Sequence, residues 1–111
     1  MEQSKATTKY IRVPPRKARL VADLIRGKLV DEATTLLTYC KMKSREPMKK
    51  TLKSAIANAE VQFDARRDLL RIVEVRVDEG PYFKRAKPKN KGGRAPILKR
   101  TSHFTVVVEE S

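Results

Sequence analysis

Residues that build catalytic or metal sites are scarce in this chain, which has one cysteine, one histidine and no tryptophan in 111 residues. A single cysteine cannot form a disulfide within the chain, and Cys40 with His103 cannot complete a zinc site. No apolar run reaches the roughly 18 residues that a membrane-spanning helix needs. The first residues, MEQSKATTK, lack the apolar segment of a secretory signal. These absences predict a cytoplasmic type of protein with no cofactor, no metal and no membrane span.

Acidic residues are also few, with 13 against 26 lysines and arginines and a formal net charge of +13. This excess favours a nucleic-acid partner, because each neutralised phosphate releases a counterion. The excess is concentrated in residues 81–100, PYFKRAKPKNKGGRAPILKR, which contain no Asp or Glu. The distribution predicts a single domain, 1–111, with a globular body (about 1–80 and 101–111) and a basic arm (about 81–100).

The arm lies between two β-branched runs, RIVEVRVD at 71–78 and TVVVE at 105–109, and contains the turn-like sequence NKGG at 90–93. Folding about that turn would pair the two runs and leave roughly ten residues per leg, or ~30 Å of extended chain. The arm has few apolar side chains and its charges repel one another, so we expect it to be ordered only against a polyanion. A disordered basic tail is the alternative.

Three stretches have the apolar periodicity of amphipathic helices, which predicts helices at about 15–26, 31–40 and 45–63. Gly27 suits the position just past the end of the first helix, and Ser44 is predicted to cap the third with its side chain. The predicted inward-facing residues are Ala18, Val21, Ala22, Ile25, Ala33, Leu36, Leu37, Cys40, Met48, Leu52, Ala55, Ile56, Ala59 and Phe63.

Strand signals complete the predicted body. The segment 5–12 predicts an edge strand that ends before two prolines. Val73, Val75 and Val77 alternate with charged residues, which is typical of a half-buried strand. The predicted fold class is α+β, with three helices packed on a small antiparallel sheet and a long basic β-hairpin extension.

Enzyme activity has little basis in the sequence. Cys40 lies on an apolar stripe, as a buried free cysteine commonly does, and His103 has no Asp, Ser or Cys near it in sequence. The Gly92-Gly93 pair lacks the strand–helix context of a phosphate-binding loop. We predict that the protein is not an enzyme; a Cys40–His103 dyad would be the only candidate.

Five segments resemble a known family: PRKARLVADLIRGK at 15–28, SAIANAE at 54–60, VDEGP at 77–81, KR at 84–85 and ILKRTSH at 97–103. They have the order and spacing of large-subunit ribosomal protein family twenty-two, of the bacterial or organellar type. The chain resembles this family over nearly its whole length.

The resemblance implies a structural constituent of the large ribosomal subunit that binds the large (23S-type) ribosomal RNA and assists early subunit assembly. The implied hairpin lines the nascent polypeptide exit tunnel, beside ribosomal protein four at the tunnel constriction and near the macrolide site. The nascent polypeptide would be a further partner, and the protein would be a monomer within the ribosome, cytoplasmic or organellar. The implied tunnel-lining tip consists of Lys84, Arg85, Ala86, Lys87, Pro88, Lys89, Asn90, Lys91, Gly92, Gly93 and Arg94.

Candidate RNA contacts lie in both the arm and the body. The lysines of the third helix and the arginine pair after it are equally consistent with a solvated surface. Tyr82 and Phe83 could stack on unpaired bases or pack at the base of the arm. The candidates are Lys9, Arg12, Arg16, Lys17, Arg19, Lys49, Lys50, Lys53, Arg66, Arg67, Lys84, Arg85, Lys87, Lys89, Lys91, Arg94, Lys99, Arg100 and His103. The alternative function is a dimeric β-ribbon architectural DNA-binding protein.

Prolines mark two departures from the family pattern. Pro14 stands where the family usually has a serine that caps the first helix, so we expect a loss of ~1 kcal/mol of helix stability unless another group serves the free N–H groups. Pro88 and Pro96 replace basic residues near the tip, so the sequence does not predict whether the two strands pair there.

Overall fold

The computed structural model describes residues 2–81, 83–88 and 94–110, with side chains for 2–81 and 100–110. A three-stranded antiparallel sheet has the order β1-β5-β2, and β3 pairs with β4 in a separate ladder. These elements confirm the predicted α+β fold class. The elements are β1 (Gln3–Ile11), α1 (Pro15–Ile25), α2 (Val30–Tyr39), α3 (Arg45–Phe63), a 3-10 turn (Arg67–Leu69), β2 (Leu70–Glu79), β3 (Phe83–Pro88), β4 (Arg94–Lys99) and β5 (Ser102–Glu110).

The helix ends agree with the predictions to within a residue. One of the two predicted caps, Gly27, is present, and the other, Ser44, is not. Pro15 is the first residue of α1, where the fixed φ of proline fits, and Pro14 makes no side-chain cap. Gly27 adopts the expected left-handed conformation, with φ of +77°. Ser44 precedes α3, but its hydroxyl does not cap the helix. Its backbone is already helical, with φ −72° and ψ −4°, whereas a capping serine is normally extended.

The core lies between the three helices and one face of the sheet. Phe104, Val106 and Val108 of the central strand β5 are fully buried there. The predicted helix stripes are buried except at three positions: Leu36 is exposed, while Cys40 and Phe63 are half-buried and pack against the core.

A bulge in β2 changes the predicted alternation. Ile72 and Val75 are both buried, and the pairing with β5 shifts by one residue between Ile72 and Glu74. The inserted residue turns Val73 outwards, where it is 41% exposed. The prediction that Val73 shares the inner face with Val75 and Val77 is therefore wrong.

The predicted edge strand at 5–12 is confirmed as β1, which lies at one edge of the sheet. Its pairing with β5 is interrupted between Thr8 and Ile11, where Tyr10 has a φ of +60°. The Tyr10 N–H donates to Nδ1 of His103 at 3.1 Å, and the two rings meet edge to face at 5.0 Å. His103 therefore holds this irregular end of β1 against β5.

The basic arm contains a regular antiparallel ladder from the pair Phe83–Lys99 to the pair Pro88–Arg94. Pro96 lies opposite Ala86 within it. A two-stranded ladder has two free edges, where a residue without an N–H is tolerated. The longest dimension of the molecule is 62 Å, against 26 Å and 16 Å for the other two. The predicted turn at 90–93 lies outside the described residues.

Candidate nucleic-acid interface

The arm joins the body through a hydrogen-bonded junction. The last β2–β5 pair is Glu79–Ser102 and the first β3–β4 pair is Phe83–Lys99, so one strand has one more residue than the other at the junction. The Gly80 N–H donates to the Thr101 carbonyl at 3.0 Å. The buried Thr101 hydroxyl donates to the Pro81 carbonyl. The β-ribbon therefore passes from body to arm with its two strands still bonded to each other.

Gly80 is in close contact with the opposite strand. A Cβ atom at this position would lie 2.5 Å from Oγ1 of Thr101 and 3.0 Å from Cε1 of His103. Only glycine allows the two strands to approach so closely at the base of the arm.

Several predicted RNA-contacting residues form one basic surface beside this junction. The side chains of Arg12, Arg16 and Lys17 are exposed and bond to no other described residue. The α1 N-terminus, the positive end of the helix dipole, lies among them. Glu79 is a nearby acid and pairs with Arg100 at 3.5 Å. We call this set the arm-base surface: Arg12, Arg16, Lys17, Arg19 and Arg100.

A cleft of about 370 Å³ lies among three members of the arm-base surface, Arg16, Arg19 and Arg100. It is lined by Pro14, Pro15, Arg16, Arg19, Glu79 and Arg100. Three exposed guanidinium groups and a helix N-terminus in such a cleft are a suitable environment for phosphate oxygens.

Arg19 also has a structural task that the sequence did not indicate. Its Nε and Nη2 atoms donate to the Val77 carbonyl at 3.2 and 3.1 Å. Arg26, two helical turns later, donates from Nη1 to the Val75 carbonyl at 2.7 Å. These two arginines satisfy carbonyls on the side of β2 that does not pair with β5, which would otherwise be a free sheet edge.

Other residues predicted to contact RNA lie away from the arm base. They differ in whether their side chains already have a partner within the protein. Arg66 pairs with Asp68 at 3.2 Å, and Arg67 pairs with Asp31 at 2.9 Å. Lys49 donates to Thr38 at 3.2 Å. By contrast, three exposed lysines make no side-chain bond to another described residue: Lys9, Lys50 and Lys53.

The predicted contacts of the arm lie partly within and partly outside the described residues. The structure describes the backbone, but not the side chains, of Lys84, Arg85, Ala86, Lys87, Pro88, Arg94 and Lys99. The remaining predicted tip residues lie outside the described residues: Lys89, Asn90, Lys91, Gly92 and Gly93.

A second, larger cleft was not predicted from the sequence. It has a volume of about 570 Å³ and lies between the β1–α1 turn and the α2–α3 linker. The linker sequence KMKS, with a methionine between two lysines, was the only local signal for it. The lining residues are Arg12, Val13, Pro14, Lys17, Leu20, Met42, Lys43 and Ser44.

The described parts of the chain contain no cluster of three or more potential metal ligands. Within the same parts, no helix has the length and apolar character needed to cross a membrane.

Comparison with known proteins identifies the family. The family model described as ribosomal protein L22p/L17e matches residues 6–109. A protein of Protochlamydia amoebophila strain UWE25, named large ribosomal subunit protein uL22, is 62% identical over 108 residues, which is 97% of each chain. Proteins of the same name from Chlamydia trachomatis serovar L2b and Chlamydia abortus are 59% and 56% identical over 106 residues, 96% of each chain. Since these matches cover nearly the whole chain, as the sequence motifs predicted, the protein belongs to the ribosomal protein L22p/L17e family of the large ribosomal subunit.

Proposed function

We propose that this structural constituent of the large ribosomal subunit binds the large (23S-type) ribosomal RNA through its arm-base surface and its arm. The observation that carries the proposal is that three exposed cations of the arm-base surface, Arg12, Arg16 and Lys17, have no partner among the described residues. An unpaired cation keeps its full attraction for phosphate, whereas an ion pair must first be broken. The β3–β4 ladder continues from this surface with a sequence rich in lysine and arginine.

RNA recognition by such a surface rests mainly on phosphate, 2′-hydroxyl and RNA shape. The base edges of an A-form helix lie in a groove that is too deep and narrow for side chains to read. A paired ribbon with cations at its base and along its sequence can touch several RNA helices at once. This arrangement supports a role in joining RNA segments during early assembly.

A salt titration tests the binding proposal. We expect filter binding of deproteinised large-subunit RNA to give a slope of log K against log salt of about −4 to −5 if about six phosphates are neutralised. The double variant Arg12→Gln/Lys17→Gln should reduce the size of that slope by about 2. The matched control Lys5→Gln/Lys28→Gln removes the same charge at positions away from the arm base and should leave the slope unchanged.

The outcome also separates the RNA proposal from its alternative. A nearly flat salt dependence, or equal slopes for the two double variants, would refute binding through the arm-base surface. Equal affinity for duplex DNA of the same length, together with a dimer in solution, would favour the DNA-binding alternative.

We further propose that the arm lines the nascent polypeptide exit tunnel beside ribosomal protein four, with residues 84–94 at the tip. The family membership and the paired, basic β3–β4 ladder support this placement. A photoactivatable residue at position 85, in ribosomes that carry a stalled nascent chain, should cross-link to that chain and to ribosomal protein four. The same residue at position 61, on the exposed face of α3, is the control and should give neither product.

We propose that the protein performs no catalysis and acts in the cytoplasm as a monomer within the ribosome. Ribosomal structural proteins are in general not enzymes. Cys40 lies at the end of α2 and His103 bonds to the backbone of Tyr10, so each has a structural environment. Replacing both residues should leave ribosome function intact if this view is right, and a specific loss of activity without unfolding would contradict it.

A further inference from the structure

The cleft between the β1–α1 turn and the α2–α3 linker combines an apolar floor with a cationic rim. Phosphate binding at the arm base would use the cations and leave the apolar floor without a partner. Val13, Pro14, Leu20 and Met42 line it with apolar groups, and Leu20 is 57% exposed. Together these side chains place exposed apolar surface next to the charged groups of the rim. A cleft of about 570 Å³ is within the range of small-ligand sites.

The rim of this cleft is positive without exception. Arg12, Lys17 and Lys43 line it, none of the lining residues is acidic, and none of these three side chains bonds to another described residue. Their charge is therefore complementary to a polyanion. Pro14 lines both this cleft and the smaller one at the arm base, so the two clefts lie next to each other.

Ser44 provides an independent observation. It lines the cleft and is only 3% exposed, and its hydroxyl oxygen is buried without a hydrogen-bond partner among the described residues. A buried hydroxyl without a partner is unfavourable. A serine hydroxyl both donates and accepts, so after rotation about its Cα–Cβ bond it would meet either kind of group on a ligand in the cleft.

We propose that the cleft receives one unstacked nucleobase of the ribosomal RNA. The base would pack on Leu20, Met42 and Pro14 and would bond at its edge to Ser44. The phosphates on either side would contact the cationic rim. This inference rests on the proposed RNA binding and adds a defined subsite to it. Unpaired bases in loops and bulges are the parts of RNA that proteins take into apolar pockets.

A neutral, matched pair of variants tests the subsite without changing the charge. Leu20→Asn removes the apolar contact in the cleft. Leu24→Asn makes the same change one helical turn later, at a leucine that is 44% exposed and does not line the cleft. We expect Leu20→Asn to weaken binding of deproteinised large-subunit RNA about tenfold, and Leu24→Asn to leave it within about twofold. Both should keep the wild-type salt slope, because no phosphate contact is lost.

The variant Ser44→Ala provides a second test, because loss of RNA binding without loss of stability would not result if Ser44 only supported the fold. Removal of an unpaired buried hydroxyl should leave the melting temperature of the free protein unchanged or higher, yet weaken RNA binding. Irradiation of the complex with RNA that contains 4-thiouridine should also place one nucleotide in cross-links to peptides covering 12–20 and 42–44.

The results separate the subsite from the broader proposal. Equal RNA affinities for Leu20→Asn and Leu24→Asn, or cross-links that avoid the cleft, would show that the nucleobase subsite is wrong. A steep salt slope for the wild-type protein would still support RNA binding in that case. Loss of the salt slope in the wild type would refute RNA binding itself. If Leu20→Asn bound RNA normally but was poorly retained in assembled subunits, the cleft would hold a protein segment and the nucleobase inference would be wrong.

Discussion

Replacement of Gly80 by alanine should destabilise the base of the arm through steric conflict alone. The φ of Gly80 is outside the left-handed region, so alanine can adopt its backbone conformation. The new Cβ atom, however, would lie 2.5 Å from Oγ1 of Thr101, closer than van der Waals contact allows. Thr101 is fully buried and its hydroxyl donates to the Pro81 carbonyl, so the hydroxyl cannot move without breaking that bond.

The size of the effect follows from three contributions. Overpacking at a buried site costs about 1–3 kcal/mol. Loss of the partner of a buried hydroxyl costs about 1–3 kcal/mol more. The reduced freedom of the unfolded chain returns about 0.4–1 kcal/mol when glycine becomes alanine. We therefore expect Gly80→Ala to lower the free energy of unfolding by about 1–5 kcal/mol in urea denaturation of the free protein.

A double-mutant cycle with Thr101→Ala tests the cause. Thr101→Ala removes the Oγ1 atom that the new Cβ would meet, so the double variant should be more stable than additivity predicts by at least about 1 kcal/mol. Gly27→Ala is the control, because a Cβ there has no atom within 4 Å and its cost comes from the φ of +77°. Its effect should add to that of Thr101→Ala. Additivity for Gly80, or a Gly80→Ala protein of wild-type stability, would refute the steric explanation.

Two further pairs of variants test the core and the sheet edge by the same urea titration. Phe104→Ala should lower the free energy of unfolding by about 3–5 kcal/mol because Phe104 is fully buried. Val61→Ala, at a side chain that is 85% exposed, should change it by less than about 0.5 kcal/mol, and similar costs for both would contradict the assigned core. Arg19→Gln should cost about 1–2 kcal/mol because two donors to the Val77 carbonyl are lost. Arg16→Gln should cost less than about 0.5 kcal/mol, and equal effects would contradict the structural role of Arg19.

The element boundaries followed closely from the sequence because they depend on local periodicity and on proline and glycine. The helix predicted at 45–63 is α3 (Arg45–Phe63), and Gly27 ends the first helix as expected. The bulge in β2, by contrast, could not be predicted from local sequence. An inserted residue leaves no mark on a run of alternating valines, so only the pairing with β5 shows that Val73 points outwards.

The basic residues of the candidate site also have partners that local sequence does not predict. Arg16 and Arg19 look equivalent in the sequence, yet Arg16 has no side-chain partner among the described residues, whereas Arg19 bonds to a strand about 60 positions away. Lys43 was not predicted as a contact at all. It acquires a place in a cleft because the α2–α3 linker folds against the β1–α1 turn.

The sequence by itself determined the fold class, the uneven charge and the family resemblance, because composition, short-range periodicity and motif order are properties of the chain alone. Only the tertiary structure decided which cations are free to meet phosphate, where a glycine is sterically required and which distant segments enclose the apolar cleft. Those properties depend on contacts between residues far apart in the chain, and local patterns do not specify such contacts.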